Sequence, residues 1–174
     1  MRTTHRAFLL SFLSFLLLLI IFSQKIDAQT IFSFKVDTLS FNGSVKDAVV
    51  ISADHESYVK IDAVDGDKAI VLYLGLKKLN KLPASLPFAH HDHSKGETTD
   101  SEFIWIPEGK DGPKWISSEG KTIVTQYDSV KQTLSGSFEY TVQKSEKSKD
   151  KPRPKLEVTK GQFQNVQYKV EEKK

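Results

Sequence analysis

The chain is predicted to be all-β: a single-domain antiparallel β-sandwich, or a partly closed barrel, of about nine strands behind an N-terminal signal peptide. Three observations predict it. Apolar residues recur at period two along most of the chain after residue 28, and turn signals containing Gly, Asn, Asp or Pro separate the runs. No segment offers apolar residues at i, i+3, i+4, i+7 over three turns; Tyr73 to Ala84 comes closest, but Gly75 and Pro83 bracket it into one or two turns. No linker divides residues 29–174, which read as one domain.

The first 28 residues are compositionally separate. Arg2 and Arg6 precede a mostly apolar run from Ala7 to Phe22, and Ser23 to Ala28 then returns to polar. That order is the one an export translocon engages, with cleavage after Ala28 leaving Gln29 as the new terminus. The run holds 16 residues, short of the roughly 20 a membrane-spanning helix needs. A removed signal is therefore preferred to an uncleaved anchor, and no later segment is apolar and long enough to cross a membrane as a helix. The expected location is extracytoplasmic, either periplasmic or secreted.

Whole-chain averages blur this division. Of 174 residues 39% are apolar, with 25 basic against 22 acidic side chains and no cysteine. Residues 1–28 take 17 apolar residues, three Lys/Arg and one Asp, so residues 29–174 keep 50 apolar residues in 146 (34%) and a net charge of +1. A cation-driven nucleic-acid binder is not expected from that balance. Without cysteine there is no disulfide scaffold, thiolate metal site, cysteine nucleophile or lipid anchor on cysteine.

The strands follow in order. Phe32, Phe34 and Val36 alternate with Ser33 and Lys35; Val59, Ile61 and Ala63 alternate with Lys60 and Asp62. Ala69 to Leu74 is apolar throughout, which predicts a strand covered on both faces. Leu134, Gly136, Phe138, Tyr140 and Val142 form one face of a strand whose other face is polar. Turns are expected at Asn42-Gly43, Asp65-Gly66, Gly109 to Pro113 and Glu119-Gly120. In the last strand, Leu156 and Val158 share a face that Phe163, and then Val166, Tyr168 and Val170, cannot keep in phase. Extra residues absorbed near Lys160-Gly161 and Gln164-Asn165, a β-bulge at each, restore it. Lys144 to Lys155 carries six basic and two acidic residues with two prolines, and reads as a long solvated hairpin loop. Its functional reading is a basic patch for anionic polysaccharide or lipid headgroups.

Ser135-Gly-Ser-Phe-Glu-Tyr140, followed by Leu156-Glu-Val-Thr-Lys-Gly-Gln-Phe-Gln-Asn-Val-Gln-Tyr168, resembles the closing hairpin of a family of uncharacterised cell-envelope proteins of Bacteroidetes-type bacteria. Phe32-Ser-Phe-Lys-Val-Asp37 and Thr122-Ile-Val-Thr-Gln-Tyr-Asp128 resemble its first and antepenultimate strands. The resemblance spans roughly Phe32 to Asp62 and Lys121 to Tyr168. It implies a β-sandwich of unknown function and no catalytic residues. Family members generally carry a lipid-attachment cysteine after the signal; this chain has none, which favours a free fate over a tethered one.

Few constellations carry chemistry. His90-His-Asp-His93 with Glu97 is the ligand-rich cluster: His91 and His93 lie at i and i+2 on one face of an extended chain, and Glu97 is placed to return as a third ligand to a divalent transition metal. The string also matches the first metal half-motif of cupin barrels, but Ser85 stands where that pattern has glycine and no later histidine follows. Asp62 to Asp67 offers three carboxylates near a glycine, which turn chemistry also explains. Trp105 and Trp115 are the two tryptophans; either they are buried, or they form an exposed platform for stacking on sugar rings. No Gly-x-Ser-x-Gly elbow or glycine-rich phosphate loop is present. The leading expectation is thus an exported, non-enzymatic module with a binding or structural role toward an envelope or extracellular ligand, with no cofactor. The alternatives are a metal-binding protein or cupin-like metalloenzyme using His91, His93 and Glu97, and a carbohydrate-binding module using Trp105 and Trp115.

Overall fold

A computed structural model describes residues 30–53, 56–89, 100–109, 112–145 and 152–170. Its elements are β1 (Ile31–Val36), β2 (Leu39–Ala53), β3 (Glu56–Asp65), β4 (Lys68–Gly75), β5 (Ala84–Pro87), β6 (Ser101–Ile106), β7 (Trp115–Asp128), β8 (Thr133–Lys144), β9 (Lys155–Gln167) and β10 (Lys169–Val170). No helix occurs among the described residues, and none there is long and apolar enough to cross a membrane. The predicted signal lies outside the described residues.

Of the two architectures expected, the barrel is the one found. Strands run β1-β9-β8-β7-β6-β4-β3-β2, and β2 pairs back with β1, closing eight strands on themselves; the sandwich expectation is corrected by that closure. Short β1 is the keystone, because Phe34 sits opposite Phe41 of β2 while Ser33 faces Gln162 of β9. Two further strands add to the wall. β10 runs parallel to β2 at Val49 and Val50. β5 pairs with β7 over Lys121 to Val124, below the point where β6 holds β7 by Trp115 and Ile116 alone.

Period-two alternation puts one face of each strand inside. Ile70, Leu72 and Leu74 of β4 and Phe103 and Trp105 of β6 are buried, while their neighbours Val71, Tyr73 and Ile104 are half-buried on the outside. The two-sided cover expected for Ala69 to Leu74 is therefore only partial on the outer face. Aromatic rings fill the middle of the barrel: Phe34 stacks on Phe41 at 4.7 Å and meets Phe103 edge-on at 5.4 Å, and Phe103 stacks on Tyr140 at 5.5 Å. An eight-stranded barrel is just wide enough to be filled by side chains or to hold one small ligand; here side chains fill it. Across β7 to β9 most outward positions are polar, with Ile116 and Ile123 half-buried among them.

The turns sort into those found and those displaced. Gly66 (φ +60°) opens a two-residue turn between paired Asp65 and Lys68, as expected for a hairpin with Gly at the first central position. Gly112 N–H bonds to Gly109 C=O in the predicted turn after β6. Asn42-Gly43 and Glu119-Gly120, by contrast, lie inside β2 and β7. Gly43 leaves room for the ring of Phe41, and Gly120 (φ +125°) lies hard against Glu139 and Tyr140, so these glycines serve close packing rather than chain reversal.

Candidate functional site

The recess in the outer wall is built where two β-bulges, one on β7 and one on β9, lie at one level on either side of β8. On β7, Thr125 is an extra residue between the pairs Val124–Gly136 and Gln126–Ser135. On β9, Gln164 and Asn165 together oppose the single residue Ser135. A second irregularity falls lower on β9, where Thr159 and Lys160 oppose Glu139. Both β9 bulges are where the parity of the sequence requires them, and Lys160 and Asn165 take left-handed conformations there, at φ 54° and 51°.

Hydroxyls hold the upper row. Thr125 Oγ1 donates to the Ser135 carbonyl (3.2 Å), Asn165 N–H donates to Ser135 Oγ (3.0 Å), and Thr30 Oγ1 donates to the Asn165 carbonyl (3.3 Å). Bulges bend a strand and increase its twist. Where the β7 and β9 bulges flank Ser135, the wall holds a recess of about 820 Å³. Thr125, Gln126, Ser135 and Asn165 also line a neighbouring recess of about 460 Å³, which extends toward Ser137, Gln162 and Gln164. The two make one open groove.

Its electrostatics are nearly neutral. Asp128 and Lys131 stand at one end, 3.7 Å apart, and the Asp128 carboxylate also accepts from the N–H groups of Lys131 (2.8 Å) and Val130 (3.0 Å). The Lys131 N–H holds that carboxyl below its ordinary range. Beside it Tyr127 stacks on Tyr168 at 6.1 Å with rings nearly parallel, closing this end of the barrel. Burial, and then a hydrogen bond to Tyr127, push the Tyr168 phenol up.

Hydroxyls inside the barrel serve the wall. Tyr140 OH donates to Ser101 Oγ (2.7 Å), Ser101 Oγ donates to the Leu86 carbonyl (2.7 Å), and Thr122 Oγ1, at 2.7 Å, is left to donate to Tyr140. This chain bridges the split where β7 changes partner from β6 to β5. Burial pushes the Tyr140 phenol up to about 12.

The residues singled out from sequence fall elsewhere. His90, His91, His93 and Glu97 lie outside the described residues; among the described residues no three His, Asp or Glu side chains gather as metal ligands. Trp105 is 3% exposed inside the barrel, edge-on to Phe34 at 6.3 Å, with its Nε1 unbonded. Trp115 packs half-buried against the same core. Of the platform considered for Trp105 and Trp115, Trp105 is turned inward by the register that pairs the two, while Trp115 stays partly exposed. The carboxylates of Asp62 and Asp65 are occupied by Lys60 Nζ (2.6 Å) and by Asn42 N–H (3.3 Å). Of the basic loop, residues 146–151 lie outside the described residues, and Arg153 lines a recess of about 320 Å³ with Phe88 and Ile116.

No protein-family model matches the chain, and no curated protein or solved structure matches it either. The geometry carries the functional reading by itself. The groove residues were visible in the sequence only as the dense Gln162-Phe-Gln-Asn-Val-Gln167 run, whose parity slip gave the bulges but not the concavity they make.

Proposed function

We propose that the chain is exported and acts outside the cytoplasm, at the cell envelope, as a non-enzymatic binding module whose contact surface is the outer groove across β7, β8 and β9. One observation carries this reading. The barrel interior is packed with aromatic side chains, so recognition falls to the outer wall, where bulges at Thr125 and Asn165, aligned on either side of Ser135, make a concave polar surface. The buried hydroxyls of Thr122, Tyr140 and Ser101 end on a backbone carbonyl and hold strands together, which supports a structural rather than catalytic role for them. The charged-then-apolar order of residues 1–28 supports export, and the resemblance of the closing hairpin to envelope proteins supports the site of action.

Two measurements test it. The full chain expressed in a bacterial host is expected in the osmotic-shock fraction with Gln29 as its first residue; retention in the cytoplasm removes the export half. The labelled chain is expected to adsorb to the envelope fraction of a Bacteroidetes-type bacterium, less so when Gln126→Ala and Gln164→Ala are combined. Adsorption indifferent to that pair removes the groove as the contact surface.

A further inference from the structure

We infer that the groove takes an uncharged, polyhydroxylated ligand, a neutral glycan chain, and this rests on the reading of the groove as the contact surface. The side chains that face it at Gln126, Gln162, Gln164 and Gln167 are primary amides, each bearing two donors and one acceptor oxygen, and Thr133 and Ser137 add hydroxyls. A sugar hydroxyl is itself donor and acceptor, so amides meet it in either sense, whereas a charged ligand needs a surplus of the opposite charge. Among the described residues the groove has none: its one cation, Lys131, is paired with Oδ2 of its one anion, Asp128, whose Oδ1 is already engaged by two backbone N–H groups.

Topology separates the groove from the places where an extended peptide would add. Among the described residues β8 is paired on both sides along the groove, while β7 has no partner on its far side past Val124 and β9 none on its far side past Gln164. A peptide backbone would add at those edges, whereas the groove lies on the sheet face between them. Recognition falls to side chains, and those present are the amide and hydroxyl types that suit a sugar.

The test is affinity electrophoresis of the chain, in the form an expressing bacterial host accumulates, through native gels cast with dextran, amylopectin, galactomannan or xyloglucan, and with alginate or heparin as acidic polymers. At least one neutral polymer is expected to retard the protein. Gln126→Ala combined with Gln164→Ala is expected to weaken that retardation at least ten-fold with an unchanged melting temperature, while Lys60→Ala, on the far wall, leaves it intact. No retardation by any neutral polymer overturns the inference. Retardation by alginate or heparin alone, lost with the groove pair, overturns the neutral-glycan assignment and leaves the groove as contact surface. Retardation that survives the groove pair overturns both.

Discussion

The side-chain oxygen of Ser135 accepts a 3.0 Å hydrogen bond from the backbone N–H of Asn165. That N–H belongs to a bulged residue and has lost its place in the ladder, so a side chain on the neighbouring strand takes the role of the missing carbonyl. Ser135→Ala leaves a part-buried N–H unsatisfied and is expected to destabilise the fold by about 1–2 kcal/mol. Urea unfolding checks this: the midpoint falls at unchanged slope. A neutral result places the support of the bulge elsewhere.

Tyr140 gives a pH prediction. Its phenol is pushed up to about 12 in the folded chain by burial, against an ordinary value of 10.0. The folded state therefore holds this proton more tightly than the unfolded one. Its contribution is fully present below pH 10 and is lost as pH rises toward 12, amounting to about 3 kcal/mol if the whole shift is realised. Tyr140→Phe is expected to lower stability at neutral pH by about 1–2 kcal/mol, because Thr122 and Ser101 lose their shared partner. It is also expected to flatten the decline of stability between pH 10 and 12. Parallel alkaline unfolding curves for the two proteins would refute the assignment.

Lys160 is exposed, with a left-handed backbone at φ 54°. Side-chain packing contributes little there, so substitutions report backbone strain. Lys160→Val introduces a β-branched residue where positive φ is most costly, and a loss of about 1–2 kcal/mol is expected. Lys160→Gly relieves strain but loosens the unfolded chain, and lands within about 0.5 kcal/mol of the parent. Equal stability of the valine and glycine variants, measured by thermal unfolding, would mean that the bulge relaxes.

The two β9 bulges were legible because burial enforces parity: an inward face that holds Val158, Phe163 and Val166 can be kept only if residues are absorbed between them. The readings of Asn42-Gly43 and Glu119-Gly120 as turns failed for the opposite reason. A local glycine signal is the same whether the chain reverses or a ring needs room, and the ring of Phe41 and the backbone of Tyr140 that need it are placed by tertiary packing. Barrel closure was equally hidden, since it depends on β1 pairing with β9 across more than a hundred residues. The groove combines both cases. Its Gln-rich strand was in plain view, but its concavity requires Thr125 and Asn165 to bulge at one level on either side of Ser135.

Filling of the barrel is itself testable. Phe34 is 2% exposed and contacts Phe41, Phe103, Trp105 and Phe138, so it is a central plug of the interior. Phe34→Ala is expected to cost about 3–5 kcal/mol, the lost transfer energy plus the cavity left behind. The walls of that cavity are aromatic rings held in a closed barrel, so it is expected to stay dry and to accept a small apolar guest. Benzene should then raise the melting temperature of Phe34→Ala and leave that of the parent unchanged, by preferential binding to the folded state. A variant that unfolds outright is replaced by Phe34→Leu, for which a smaller cost and no benzene effect are expected. If benzene stabilises the parent chain as well, the interior already holds space for a ligand, and the case for recognition on the outer wall loses its main support.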